Sequence, residues 1–384
     1  MFRRFIRHPQ AVFLRRAVFQ IHLWTGVAVG LYVLMISLSG SVLVFERDFT
    51  NDAPDAGAEI ANARPVVYED LLAAVLKENP TYELDSVDMR SRKRRVVSMT
   101  FKEGQRKRVF YFDGYTGGVI RKVDFDATHG TIAFLESLHN ELLGGRRGAV
   151  ANGIGGLILA LLCVTGIILW WPGKRVWKRA LTINWRARWR RINFDLHSSV
   201  GFWTLAVLSM WAVTGAYFIF PDAIQKPLRL YATPAAAKTS TWKPGGKMQP
   251  LDSYVKQAVA AFPDEQLAYV YMDVLRPAGQ VQVYLSRDPS VSLTLQEEIV
   301  RFDPGTATVL FVESSDRWSL TEKILMATYS IHFGDFGGTV SKIIWSVLSL
   351  SLSLLTVTGY LMWWNRLLRK KWARLVGPSP IQTA

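Results

Sequence analysis

The stretches "VTGIILWW", Val164–Trp171, and "VTGYLMWW", Val357–Trp364, lie 193 positions apart in a chain of 384 residues. Each closes an apolar run about as long as a helix needs to cross a hydrocarbon core of ~30 Å. Four such runs are present: Ile21–Phe45, Gly153–Trp171, His197–Phe220 and Ile343–Trp364. None contains Asp, Glu, Lys or Arg. They predict a membrane α-helical protein with four transmembrane helices. The first run is too long for the apolar core of a signal peptide, so it reads as a retained helix.

Basic residues set the expected orientation. Arg3, Arg4, Arg7, Arg15 and Arg16 precede the first span, eight Lys or Arg lie between the second and third, and Arg366, Arg369, Lys370, Lys371 and Arg374 follow the fourth. The positive-inside rule makes that side cytoplasmic and places both termini there. The net charge of +15 then reads as topogenic, and no nucleic-acid partner is expected beside the lipid bilayer. The predicted order is a cytoplasmic N-terminus over 1–19, a first span over 20–45, an outer α+β domain over 46–128 and a His-bearing segment over 129–148. A second span over 149–171, a basic cytoplasmic loop over 172–196 and a third span over 197–220 follow. A second outer α+β domain over 221–318, a His-bearing segment over 319–339, a fourth span over 340–364 and a cytoplasmic tail over 365–384 complete the chain. The single Cys, Cys163, excludes a disulfide framework and any zinc or iron–sulfur site held by several thiolates.

The chain reads as two copies of one unit. His22 to Gly40 and His197 to Gly215 are each 18 residues apart, and His139 to Gly166 and His332 to Gly359 are each 27 apart. The order helix, outer domain, His-bearing segment, helix thus occurs twice, which predicts a pseudo-two-fold axis along the membrane normal. In the outer segments, "VVYEDLLAAVLKENP" and "PLDSYVKQAVAAFP" read as amphipathic helices, and "YFDGYTGGVI" and "RFDPGTATVL" as hairpins. The stretch 232–247 reads as a linker.

The histidines carry the candidate chemistry. His22 and His197 are equivalent and begin helices at the cytoplasmic side; His139 and His332 are equivalent and precede helices at the outer side. Two neutral imidazoles facing each other at one depth in a four-helix bundle suit bis-His haem ligation. Gly26 and Gly201, one turn beyond His22 and His197, leave space beside each ring, although helix packing through small residues is the plainer account. All four helices also carry a Ser/Thr–Gly pair, ending at Gly40, Gly166, Gly215 and Gly359. These glycines are expected to clear space for the macrocycles. The hydroxyls of Ser39, Thr165, Thr214 and Thr358 can bond the carbonyl one turn back and need no functional role. Trp24, Trp203 and Trp345 are candidates to line the core. His8 reads as a solvated residue, and His129, opposite Glu322 in the second copy, as a surface or substrate-site group. A zinc or copper site on His139 and His332, with Glu141 or Asp335, is the competing metal reading.

The motifs "RRINFDLHSSVGFWTLAVLSMWAVTGAYFIF", "LHNELLGG" with "GIGGLILALLCVTGIILWWPGKR", and "IHFGDFGG" with "IIWSVLSLSLSLLTVTGYLMWWNR" resemble the PepSY-associated transmembrane family. The outer units resemble its PepSY domains. The resemblance implies a bacterial inner-membrane protein of iron uptake with periplasmic domains, an oxidoreductase akin to ferric-siderophore reductases of the ferrioxamine-utilisation type. It also implies that His22, His139, His197 and His332 are axial ligands of two haem b groups, and that the substrate is a ferric siderophore of hydroxamate type. Some relatives carry a fused flavin domain; here a quinol or a separate reductase is the expected electron donor. The rival readings are an iron-related membrane transporter and a non-enzymatic PepSY binding or regulatory module. The spans contain no acidic or basic residue of the kind that ion-coupled carriers use.

Overall fold

The computed structural model describes residues 13–50, 66–89, 96–104, 106–124, 127–174, 176–228, 238–275, 277–287 and 297–368. His8 and the basic residues before 13 and after 368 lie outside the described residues, as does the 232–237 part of the linker. The chain forms two compact units. One comprises 1–46, 133–224 and 332–384; the other comprises 47–132 and 225–331.

In chain order the longer helices are α1 (Phe13–Leu43), α2 (Tyr68–Glu78), α3 (Ala127–Glu141), α4 (Gly145–Trp170), α5 (Trp189–Ile219), α6 (Leu251–Ala261), α7 (Leu320–Phe333) and α8 (Gly338–Trp363). The strands are β1 (Glu83–Asp88), β2 (Val96–Glu103), β3 (Arg106–Asp113), β4 (Val119–Asp124), β5 (Gln266–Asp273), β6 (Gln280–Ser286), β7 (Glu297–Phe302) and β8 (Val309–Glu313).

Helices α1, α4, α5 and α8 are long and apolar enough to cross a membrane. α1 neighbours α4 and α8, and α5 neighbours the same two. Hence α1 and α5 stand diagonally across the bundle, as do α4 and α8. The seams differ in chemistry. Between α1 and α8, Ser37 Oγ donates to Ser349 O at 2.6 Å and Ser349 Oγ donates to Ser37 O at 2.9 Å. With no hydrophobic drive between helices in lipid, such reciprocal bonds and close packing supply the adhesion. Between α4 and α5 the contact is backbone to backbone, and a Cβ on Gly156 would lie 2.9 Å from Ala212 O.

The second unit is built on one antiparallel sheet of eight strands in the order β4-β3-β2-β1-β5-β6-β7-β8. The hairpins expected at 111–120 and 301–310 are present as β3–β4 and β7–β8. Two separate α+β domains were the sequence expectation; instead β1 and β5 pair edge to edge, with Val87 opposite Val270. The physical reason is that a four-stranded sheet would leave an unpaired edge at each of these strands, and joining them satisfies both. Helices α2 and α6 pack on the buried residues of the strands, with Leu71, Val75, Tyr254 and Ala258 meeting Val87, Phe101, Val270 and Val283 in one core. Their N-termini cap each other. Asp252 accepts from the backbone of Tyr68 and Glu69, and Glu69 accepts from Leu251 N at 2.7 Å. Carboxylates at helix starts satisfy otherwise unpaired N–H groups and oppose the helix dipole favourably.

Candidate functional site

The four histidines of interest all belong to the helical-bundle unit. His22 and His197 lie inside α1 and α5, nine and eight residues past their first residues, rather than at the helix starts. The helices extend beyond the apolar runs because the flanking polar residues continue the helical backbone. His139 and His332 lie near the C-terminal ends of α3 and α7. The backbone of His129 falls in α3, and its side chain is outside the described residues.

Each imidazole is bonded to a Ser/Thr–Gly pair on a different helix. His22 Nδ1 lies 2.9 Å from Thr165 Oγ1, and His197 Nδ1 lies 3.0 Å from Thr358 Oγ1. His139 Nδ1 lies 3.0 Å from Ser39 Oγ, and His332 Nδ1 lies 2.6 Å from Thr214 Oγ1. The direction of these bonds follows from the hydroxyls. Ser39 donates to Met35 O, Thr165 to Leu161 O, Thr214 to Met210 O and Thr358 to Leu354 O, at 2.7–2.9 Å. A hydroxyl has one hydrogen. With that hydrogen on the backbone, each oxygen accepts, so each imidazole donates from Nδ1 and keeps a lone pair on Nε2. Fixing the tautomer through the nitrogen that does not bind metal is what a supporting group does for a ligating histidine.

The glycine of each pair makes room for the ring. A Cβ on Gly40 would lie 2.9 Å from His139 Cε1, and one on Gly166 would lie 3.5 Å from His22 Cε1. The corresponding distances are 3.8 Å for Gly215 to His332 Cε1 and 3.4 Å for Gly359 to His197 Cε1. The space these four glycines leave is therefore bordered by the imidazoles themselves. Gly26 and Gly201 have only Leu162 Cδ2 at 3.9 Å and Leu355 Cδ2 at 3.6 Å near the Cβ position, and both border a cavity.

That cavity, of about 790 Å³, is lined by His22 and His197 together with Leu23, Leu162, Leu205 and Leu355. The ring centres of His22 and His197 are 6.4 Å apart and their planes are nearly perpendicular. Two imidazoles sharing one metal ion, with metal–nitrogen bonds of about 2 Å, have ring centres roughly 6 Å apart. The spacing, the free Nε2 lone pairs and the apolar surroundings fit a bis-imidazole metal centre with a large flat apolar body. Among the described residues no group of three or more His, Cys, Asp or Glu is placed to hold a metal ion, and a structural zinc site takes four donors.

A family model described as the PepSY-associated TM region matches residues 19–366. The chain belongs to this family. It is a membrane protein of the PepSY-associated TM type, and no curated protein matches it.

Around the other histidine pair the backbone is held as well. Asn152 Nδ2 donates to His139 O at 2.7 Å, and Trp211 Nε1 donates to His332 O at 3.0 Å. Tyr32 donates to Asn152 Oδ1 at 2.7 Å and so orients that amide. Trp345 packs against Trp211, with ring centres 6.2 Å apart. Trp24 and Trp203, candidates for the core by sequence, are more than half exposed and face away from it.

The sequence reading passed over several residues here. The four hydroxyls, discounted because they can bond their own helix, do that and accept from histidine as well. Asn193, one turn before His197, is buried and donates from Nδ2 to Thr358 O at 3.0 Å, steadying the residue on which His197 rests. Arg15, counted among topogenic charges, donates to Trp171 O at 2.7 Å and Leu169 O at 2.5 Å at the end of α4. The signal that could have found the hydroxyls was their recurrence beside each glycine.

Proposed function

We propose that this protein is a haem-binding electron-transfer reductase of the bacterial inner membrane that reduces the iron of ferric siderophores and releases it as Fe(II). The observation that carries the reading is the His22–His197 pair, two imidazoles each bonded through Nδ1 to a threonine, with ring centres 6.4 Å apart, that line one cavity. His139 and His332, bonded by the same hydroxyl geometry to α1 and α5, would hold a second haem b. When bound, haem supplies one-electron redox chemistry whose potential is tuned by its axial ligands and surroundings. The chain's own part is to hold four imidazoles in one tautomer, to exclude water with leucine-rich walls, and to space two centres along the bundle.

In this reading the termini are cytoplasmic and the eight-stranded unit is periplasmic, following the distribution of Lys and Arg. A quinol or separate reductase gives electrons near His22 and His197. A ferric hydroxamate siderophore takes one electron per iron near His139 and His332. Hydroxamate oxygens are hard donors that favour ferric over ferrous iron, so reduction loosens the complex.

The test is the visible spectrum of protein purified from haem-replete cells. A strong Soret band that shifts on dithionite, and that ferric hydroxamate then returns to its oxidised position, supports the reading. A colourless protein overturns it.

A further inference from the structure

The mouth of the His22–His197 cavity differs sharply from its interior. Among the residues that line the cavity are Arg15, Arg16 and Arg366, and none of the lining residues is Asp or Glu. Arg15 uses two of its five N–H donors on the carbonyls of Leu169 and Trp171, which fixes the guanidinium at the rim and leaves three donors. The Arg366 guanidinium carbon lies 4.6 Å from the ring centre of Phe19, a residue that also lines the cavity. Trp363 lines the same cavity, and its Nε1–H is buried with no hydrogen-bond partner among the described residues. Indole nitrogen can only donate, so this group calls for an acceptor that the described protein does not provide.

An apolar chamber with two imidazoles inside, three cations at the mouth and an unanswered donor selects an amphiphile with an apolar body and anionic oxygens at one edge. Haem has this chemistry, its two propionate carboxylates standing on one side of an apolar macrocycle. We propose that Arg15, Arg16 and Arg366, with Trp363 Nε1–H, form a carboxylate seat that binds the haem propionates and fixes which edge of haem faces the cavity mouth. Guanidinium groups suit this role because their planar fork meets a carboxylate with two parallel bonds. The inference rests on the haem reading of His22 and His197. It adds that these arginines bind cofactor carboxylates, where their topogenic role alone would leave them to lipid phosphate.

The experiment is a titration of the full chain, purified in detergent from haem-deprived cells, with ferric haem and with haem dimethyl ester, whose carboxylates are blocked. Haem is expected to bind the wild type about tenfold more tightly than the ester or better, given the strength of charge-assisted bonds. The double variant Arg16→Gln/Arg366→Gln, which keeps Arg15 and its bonds to α4, is expected to lose most of that preference while binding the ester as the wild type does. Trp363→Phe should reduce the preference by a smaller factor. Equal binding of haem and ester by the wild type overturns the proposal. So does an equal loss of both ligands in the variants, or an effect of the variants that appears only as lost anionic phospholipid. If the wild type takes up neither porphyrin, the haem reading itself falls and this inference with it. If it takes up both alike with a bis-imidazole spectrum, the haem reading stands and only the carboxylate seat is lost.

Discussion

His22 Nδ1 rests 2.9 Å from Thr165 Oγ1, whose own hydrogen is given to Leu161 O at 2.8 Å. The threonine is thereby an acceptor, and the imidazole is held as a donor at Nδ1 with Nε2 unprotonated. The same relation holds at three further histidines, each against a Ser or Thr that bonds its own helix. A chain that binds metal through these rings needs no carboxylate to set the tautomer.

Replacing Thr165 by Val keeps the shape and removes the acceptor. Loss of a group that orients a metal-bound histidine costs on the order of tenfold to a hundredfold in affinity. If His22 and His197 hold haem as proposed, Thr165→Val and Thr358→Val are each expected to lower haem affinity there by about tenfold, read by competition with an apo-haem acceptor. Thr165→Ser restores the acceptor and should restore binding. Wild-type affinity in both valine variants would show that the hydroxyls serve only the helix backbone.

The two histidine pairs should be separable. On the haem reading proposed above, His139→Ala or His332→Ala is expected to remove roughly half the haem, because one of the two proposed bis-imidazole centres loses a ligand. The remaining spectrum should be that of the His22–His197 site. Haem per chain, measured by pyridine haemochrome against protein mass, checks it; an unchanged ratio would refute the assignment of the second pair.

Much of this arrangement was legible in the sequence, and the illegible part has physical causes. Four uncharged apolar runs specify four membrane helices because lipid leaves few other solutions for the backbone. The repeated spacing from His to Gly located the four rings and the four glycines that border them. The pairing of β1 with β5 was not legible: it joins Val87 to Val270, which have the membrane helices α4 and α5 between them in sequence, and nothing in either strand's alternation names its partner. The hydrogen bonds of Arg15 were not legible for a similar reason. Its charge fits a topology rule, whereas its bonds to Leu169 O and Trp171 O depend on where the end of α4 falls in space.

The glycines beside the rings should not be equally tolerant. A Cβ on Gly40 would stand 2.9 Å from His139 Cε1, closer than real contacts allow, whereas on Gly215 it would stand 3.8 Å from His332 Cε1. Gly40→Ala is expected to displace His139 and lower occupancy of the second haem proposed above, and Gly215→Ala to leave it intact. Gly359→Leu, beside His197, should disturb the His22–His197 centre more than the other. Haem content and the low-temperature spectra of the three variants check the order; equal effects of the two alanine substitutions would contradict it.

The eight-stranded unit carries its own pH signature at Asp303. Burial works against the charged carboxylate, but hydrogen bonds from Thr241 N and Oγ1 and from the backbone of Thr306 and Gly305 outweigh it and hold the group down to about 2. The ordinary value is 3.8. A carboxyl depressed by folding contributes stability that is fully present above its unfolded value and is lost as pH falls through its folded one. The contribution, about 2 kcal/mol at 1.36 kcal/mol per unit, should therefore disappear between roughly pH 4 and pH 2. Trp242, buried next to Thr241 and bonded from Nε1 to Val274 O at 2.8 Å, reports on the same corner. Acid titration of the full-length protein in detergent should show Trp242 fluorescence changing in this window. The change is identified as the difference between the wild type and Trp242→Phe. Asp303→Asn should destabilise the unit at neutral pH and flatten its pH dependence below 4. An Asn variant with the wild-type acid profile would assign that window to other carboxylates.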